Sequence, residues 1–426
     1  MGAHLCHVLV TWCSLLSSRG IYVLMPMIMM PLLFSRLGTS SYGELVVVMS
    51  WGRMVSALVR YPLGYYAAYE VKRCQRCLHL NATYSSTVIA SKCVLGALKC
   101  LVVCGITFAT GKSTYPLIYT IAIAIDSLFP LWFFQGMDRT PWSALWNLVC
   151  KVLFLMFVIG FVRGDQGIAW YVWISLGVSV VRTFGGYGFV YYWGLRLVRP
   201  SGPLLKEQLW RGKHFLSVTA LIQAAGRMPY LVIAHSLGPE AVSIYAVGVR
   251  YTRSLTGLVP SITQACFPLV GLLLKNRSSC NQGVHLVTYL LILSMAGMMI
   301  SLFLPFFYPG QVVAWLGLAH PLSQRILFLS LPAPLFITVS NVLGVVFLLH
   351  TEKEHFYTKV TLLSVVLYGL LLGAWVITPW GALQGVLGVA YAWVCIEGVA
   401  CLGVMLCAYE AMSNMTLSSP FRGRIS

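Results

Sequence analysis

Twelve apolar stretches follow one another through this chain, each about as long as a helix must be to cross a bilayer. They lie at residues 12–34, 43–67, 84–108, 115–137, 143–162, 168–194, 214–236, 241–272, 285–308, 325–349, 357–378 and 383–408. The hydrocarbon core, about 30 Å thick, takes roughly 20 residues of helix to cross and offers nothing to an open backbone N–H or C=O, so these stretches should all be helical. With 58% of its 426 residues hydrophobic and 9% charged, the chain holds more apolar surface than a water-soluble fold can bury. The expected fold class is therefore an all-α polytopic membrane protein.

The polar breaks set the orientation. One side collects fourteen lysines and arginines, from Lys72, Arg73 and Arg76 through Arg139 and the basic run at 196–213 to Arg422 and Arg424. The other side has only Arg36, Lys112, Arg163 and Arg325. Basic loops stay in the cytoplasm, which places both termini there. The first stretch lacks a basic leader and a small-residue cleavage site, so it reads as a retained span. The 13 cysteines are scattered, mostly as small hydrophobes. The lone C-x-x-C, Cys74 to Cys77, has no histidine or second pair to complete a metal site, and no metal or cofactor is expected.

The longest break on the basic side, GLRLVRPSGPLLKEQLWRGKH from Gly194 to His214, separates the sixth span from the seventh. It divides the chain into an N-terminal six-helix lobe (1–194), a cytoplasmic linker (195–213) and a C-terminal six-helix lobe (214–426). The lobes echo each other at an offset of 200 residues. SRLGTSSYGELVVVMSWGRMVSAL from Ser35 aligns with HSLGPEAVSIYAVGVRYTRSLTGL from His235, placing Leu37-Gly38 on Leu237-Gly238 and Arg53 on Arg253. An even number of spans per lobe sends both copies into the membrane in the same sense, as two parallel pseudo-symmetric halves. Such halves commonly frame alternating access.

Ten basic residues fall inside the spans: Arg19, Arg53, Arg60, Lys92, Lys99, Lys151, Arg182, Arg227, Arg250 and Arg253. Only Asp126 and Glu397 clearly oppose them there. A charge at a helix centre costs about 2.5 to 3.5 kcal/mol on the insertion scale, so these side chains must face protein, water or an anion. Arg53 and Arg60 are seven apart, as are Lys92 and Lys99, while Arg250 and Arg253 are three apart; each pair shares a helical face. Lys99, Lys151 and Arg182 lie near enough to span ends to snorkel, and the boundary residues Arg36, Lys112 and Arg163 demand no function. Arg19, Arg53, Arg60, Arg227, Arg250 and Arg253 could cap carbonyls of neighbouring helices. The favoured alternative is a central, water-filled cationic cavity between the lobes, because a guanidinium fork suits phosphate and carboxylate oxygens. Asp126 reads either as a site for ion coupling or as an internal counter-ion to one arginine, and Glu397 likewise.

No G-x-S-x-G, Walker A or H-E-x-x-H motif occurs, and no large loop could form a catalytic subdomain, so the chain is not expected to be an enzyme or to bind nucleic acid.

Three segments carry a resemblance: MPLLFSRLGTSSYGEL, PLWFFQGMDRTPWSALWNLVCKVLF, and YLVIAHSLGPEAVSIYAVGVRYTRSLTGLVPSITQACFPLV. Together they resemble Wzx-type O-antigen flippases, members of the multidrug/oligosaccharidyl-lipid/polysaccharide export superfamily. The resemblance runs from about residue 20 to 408, and the run from Pro130 to Gly136 is its most distinctive piece. It implies movement of an undecaprenyl-pyrophosphate-linked oligosaccharide repeat unit from the inner to the outer leaflet of a bacterial inner membrane. The family's cationic lumen would fall here on Arg53, Arg60, Arg227, Arg250 and Arg253, while the polar first span with Arg19 departs from the pattern. A proton or sodium gradient would drive the cycle, and the polymerase and chain-length components of the same pathway are candidate partners. Two rivals remain. A multidrug exporter of the same superfamily often takes cationic substrates, which suit an acidic cavity. A polysaccharide polymerase or ligase would ordinarily need a large external loop.

Overall fold

The computed structural model describes residues 2–54, 71, 78–110, 114–137, 139–164, 166–193, 198–259, 263, 270, 280–318, 320–348, 354–377 and 379–417. Among them no strand occurs. The helices are α1 (Gly2–Met54), α2 (Leu78–Thr110), α3 (Tyr115–Ser127), α4 (Leu131–Gly136), α5 (Thr140–Phe161), α6 (Gly167–Tyr192), α7 (Gly202–Leu237) and α8 (Pro239–Gly248). They continue with α9 (Arg250–Thr256), α10 (Cys280–Phe307), α11 (Pro309–Trp315), α12 (Pro321–Ser330), α13 (Pro332–Asn341), α14 (Glu354–Ile377) and α15 (Pro379–Leu417). A π-helical stretch, Val342–Phe347, extends α13.

Proline marks many of the starts. It stands in the first two positions of α3, α5, α7, α11, α12 and α13, where its fixed φ suits the helix and its missing N–H would have had no partner.

Among the described residues, eight helical stretches are long and apolar enough to cross a membrane, and they coincide with the third to sixth and ninth to twelfth expected spans. Each of the other four carries at least one arginine. The first and part of the second run through α1, the seventh through α7, and the eighth through α8 and α9. Large apolar side chains on the spans stand open, such as Phe108 at 90% and Ile300 at 76% exposure, as expected of surfaces that meet lipid rather than water.

The chain forms two compact units. One comprises Leu32–Ser243, the other Met1–Pro31 with Ile244–Ser426. Helix α7 begins at Gly202, so the larger part of the expected linker 195–213 is helical. In the first unit α2, α3, α5 and α6 pack side by side. The core there gathers around α4, where Trp132, Phe133 and Phe134 are buried against Phe129, Val88 and Val190. In the second unit Val342, Val346 and Phe347 of the π-helical stretch pack on Val404 and Ala408 of α15.

The 200-residue echo has a physical counterpart. Gly38 interrupts α1 at φ 75°, ψ 177°, and Gly238 separates α7 from α8 at φ 85°, ψ 177°. That corner of backbone space is essentially closed to residues with a Cβ. Just beyond, the two copies meet reciprocally. A Cβ on Gly43 would strike the carbonyl oxygen of Pro239, and the Ser243 hydroxyl donates to the carbonyl of Thr39. Residue 43 thus faces 239 as 243 faces 39, a contact about a local pseudo-two-fold.

Candidate functional site

Arg182 and Asp126 form an ion pair between α6 and α3. The Arg182 Nε also donates to the Asn147 amide oxygen, its guanidinium lies 4.5 Å from the centre of the Phe129 ring, and its backbone carbonyl accepts from the Trp146 indole. The pair borders the break that Pro130 makes between α3 and α4. Carbonyls at such a break in hydrocarbon draw side-chain donors. Thr183 donates to Ile125 (2.9 Å), Tyr187 to Leu128 (2.8 Å) and the Lys92 amine to Ser127 (3.1 Å). Arg182 therefore does not snorkel, and neither does Lys99, which is wholly buried on α2. Their positions near span ends misled because the neighbouring helices, invisible to spacing, cover them. Lys151 is half-buried beside the same pair on α5.

Arg36, which sequence gave no task, donates to the carbonyls of Ile159 and Val162 at the C-terminus of α5. A cation there meets the negative end of the helix dipole. At the opposite end Arg139 lies over the Trp193 ring, 4.4 Å from its centre.

The sequence-nominated arginines divide between the units. In the unit Leu32–Ser243, Arg53 is hydrogen-bonded to the Tyr119 phenol, with Tyr171 and Tyr230 close by. The Tyr119 and Tyr171 rings lie 6.5 Å apart, and Tyr171 in turn donates to the Met49 sulfur. Arg227 is half-buried on α7, two residues before Pro229.

In the unit that contains Ile244–Ser426, Arg250 and Arg253 flank the first turn of α9. Val249 joins α8 to α9 with its helical hydrogen bonds kept, and the preceding Gly248 lies against Ile326 and the carbonyl of Ser323, closer than any Cβ would permit. Arg250 reaches the Pro26 carbonyl at 3.1 Å. Arg253 lies over the Trp393 ring, 5.0 Å from its centre, and the Trp393 indole donates to the Glu397 carboxylate at 3.1 Å. Thr252, between the two arginines, is buried and bonded to Ser330 of α12.

Arg60, Pro260 and the Cys74–Cys77 pair lie outside the described residues, as does the side chain of Arg19. Sequence reasoning passed over Tyr119, Asn147 and Trp393. For Trp393 a signal existed, since it stands one turn before Glu397 and so shares its face.

These partners differ in what they leave behind. A carboxylate in direct contact cancels a guanidinium, as Asp126 does for Arg182. A phenol, a carbonyl or an indole face orients the guanidinium while leaving its charge in place. Arg53, Arg250 and Arg253 have partners of this second kind. A separate groove of about 380 Å³ between α5 and α6 is lined by Phe157, Phe161, Trp170 and Trp173 and has no basic side chain to hold an anion.

Comparison with known proteins follows the same lines. A family model described as "Polysaccharide biosynthesis protein" matches residues 8–274. A protein of Escherichia coli (strain K12), provisionally named an O-antigen transporter, is 24% identical over 346 residues, covering 79% of this chain and 83% of its own. Among solved structures, a multidrug resistance MATE family transporter of the MOP superfamily matches in its outward-facing conformation with a TM-score of 0.65 at 12% identity. It matches in its inward-facing conformation with 0.63 at 14%, and each match covers 96% of both chains. The likeness shows a shared multi-helix fold.

Proposed function

We propose, from the premise that the chain belongs to the polysaccharide biosynthesis protein family, that it flips an undecaprenyl-pyrophosphate-linked oligosaccharide across a bacterial inner membrane. The repeat unit crosses from the cytoplasmic to the periplasmic leaflet by alternating access, while the lipid tail stays in the bilayer. A proton or sodium gradient drives the cycle, both termini lie in the cytoplasm, and the polymerase and chain-length components of the pathway take up the product.

The observations that support this reading are the Tyr119 phenol at Arg53, the Pro26 carbonyl at Arg250 and the Trp393 ring face at Arg253, contacts that orient a guanidinium without cancelling its charge. A pyrophosphate entering the membrane loses its hydration, a cost that guanidinium groups held ready and still charged can offset. Arg60, Arg227 and Arg19 are the further candidates for the same lining. A site equally tight in both conformations would trap its cargo, so moderate binding in each is expected.

Replacing Arg253 by Ala should abolish surface polysaccharide while the protein remains in the membrane at its normal level. Normal surface polymer in that strain would defeat the reading. In cells lacking the protein, lipid-linked repeat units should accumulate facing the cytoplasm.

The fold likeness to a multidrug transporter supports a second reading, export of small molecules. Resistance to cationic drugs on overexpression would favour it, and unchanged susceptibility is the expected result.

A further inference from the structure

Three side chains from two helices make a small arrangement of which the flippase reading uses only Arg253 and its ring contact with Trp393. Trp393 and Glu397 stand one turn apart on α15, and Arg253 stands on α9. Trp393 is only 7% exposed, so its ring is fixed by packing. One face of that ring carries the Arg253 guanidinium, and its N–H ends on the Glu397 carboxylate. A single indole therefore holds a cation and an anion in set places.

The consequences follow from electrostatics. An acceptor bearing negative charge at the indole N–H pushes electron density into the ring, and a richer ring face holds a cation more firmly. The carboxylate also interacts with Arg253 directly through space. Both effects vanish when Glu397 takes up a proton. Among the described residues, the other titratable groups that face it are the Tyr357 phenol from α14 and the Cys401 thiol one turn further along α15. Phenols and thiols are ordinarily neutral in the acid range, so Glu397 alone among these groups changes charge there.

We propose that Trp393 is a positioning residue for Arg253 and that, through it, Glu397 sets how strongly Arg253 attracts an anion. With Glu397 ionised, part of the guanidinium's field is spent inside the protein. With Glu397 protonated, that field is available to a phosphate, so proton and anion binding reinforce each other. Linkage requires the reverse as well: a bound anion raises the proton affinity of Glu397. The proposal rests on the reading of Arg253 as an anion site.

The test is a titration of the full-length protein in lipid nanodiscs with inorganic pyrophosphate, followed by calorimetry at several acid to neutral pH values. Pyrophosphate's own protonation is common to every variant and cancels in ratios to the wild type. Arg253→Ala should weaken binding by about tenfold or more, the loss of a charge-assisted contact. Trp393→Leu should approach that loss, whereas Trp393→Phe, which keeps a ring face but no N–H, should stay within about threefold of the wild type. Glu397→Gln should bind more tightly at neutral pH, with the ratio to the wild type falling towards one as pH falls. Each variant is first shown to be monodisperse.

If Arg253→Ala weakens binding but Trp393→Leu does not, or if the Glu397→Gln ratio is flat with pH, the positioning role is overturned while the flippase reading stands. If pyrophosphate does not bind the wild type, or binds Arg253→Ala equally well, the reading of Arg253 as an anion site falls and takes this inference with it.

Discussion

Asp126 has two readings in sequence, an ion-coupling site or a counter-ion, and the side chains around it separate what each requires. Its carboxylate meets the Arg182 guanidinium, which Asn147 and the Phe129 ring also hold. Breaking a buried pair from one side strands a charge, which costs more than removing both partners. This pair is partly exposed, 15% at Arg182 and 27% at Asp126, so the cost should lie below that of a fully buried one. Asp126→Asn is expected to destabilise the protein by about 1 to 3 kcal/mol, and Asp126→Asn with Arg182→Gln to recover most of it. Thermal unfolding of the purified variants measures this. Surface polymer in the double variant then separates the roles: normal amounts fit a counter-ion, and loss fits ion coupling.

At the scale of the element, Gly38 and Gly238 matter for where they bend the chain. Both adopt a conformation that any side chain would strain by about 1 to 3 kcal/mol. Gly38→Ala and Gly238→Ala should therefore lower stability by similar amounts, measured as matched shifts in unfolding midpoint. Gly43→Val should separate the two copies where Gly43 meets Pro239, and its effect should exceed that of Gly→Val at Gly105, which has open space around it. The Leu-Gly pair of each copy was legible in the sequence, since glycine is read locally. The interlock of residues 39 and 43 with 239 and 243 was not, because it depends on two segments meeting that lie 200 residues apart.

For the molecule as a whole, the distribution of basic residues predicts an orientation in the membrane. Single cysteines introduced at Ser201 and Gln166 in a cysteine-free background should react from opposite sides, Ser201 from the cytoplasm and Gln166 from outside. A membrane-impermeant thiol reagent applied to intact cells and to inverted vesicles reads this, and labelling of both from one side would overturn the assigned topology. Among the described residues, eight of the twelve expected spans reappear as long apolar helices, including the fourth and sixth, whose Asp126 and Arg182 pair with each other. Much of the second and eighth expected spans lies outside the described residues.

What the sequence determined by itself was the solvent, the helical class and the repeat. Each follows from local chemistry: apolar length, the need to satisfy the backbone within hydrocarbon, and a Leu-Gly pair recurring at a fixed offset. Tertiary structure decided which partners the described buried charges meet. Sequence set Arg182 with Lys99 and Lys151 near span ends and Arg36 at a boundary, yet Arg182 meets a carboxylate, Arg36 caps a helix, and Arg53, Arg250 and Arg253 have a phenol, a carbonyl and an indole among their partners. The energy of a charge in a membrane depends on the few atoms within hydrogen-bond reach, and those atoms come from distant segments that only folding brings together.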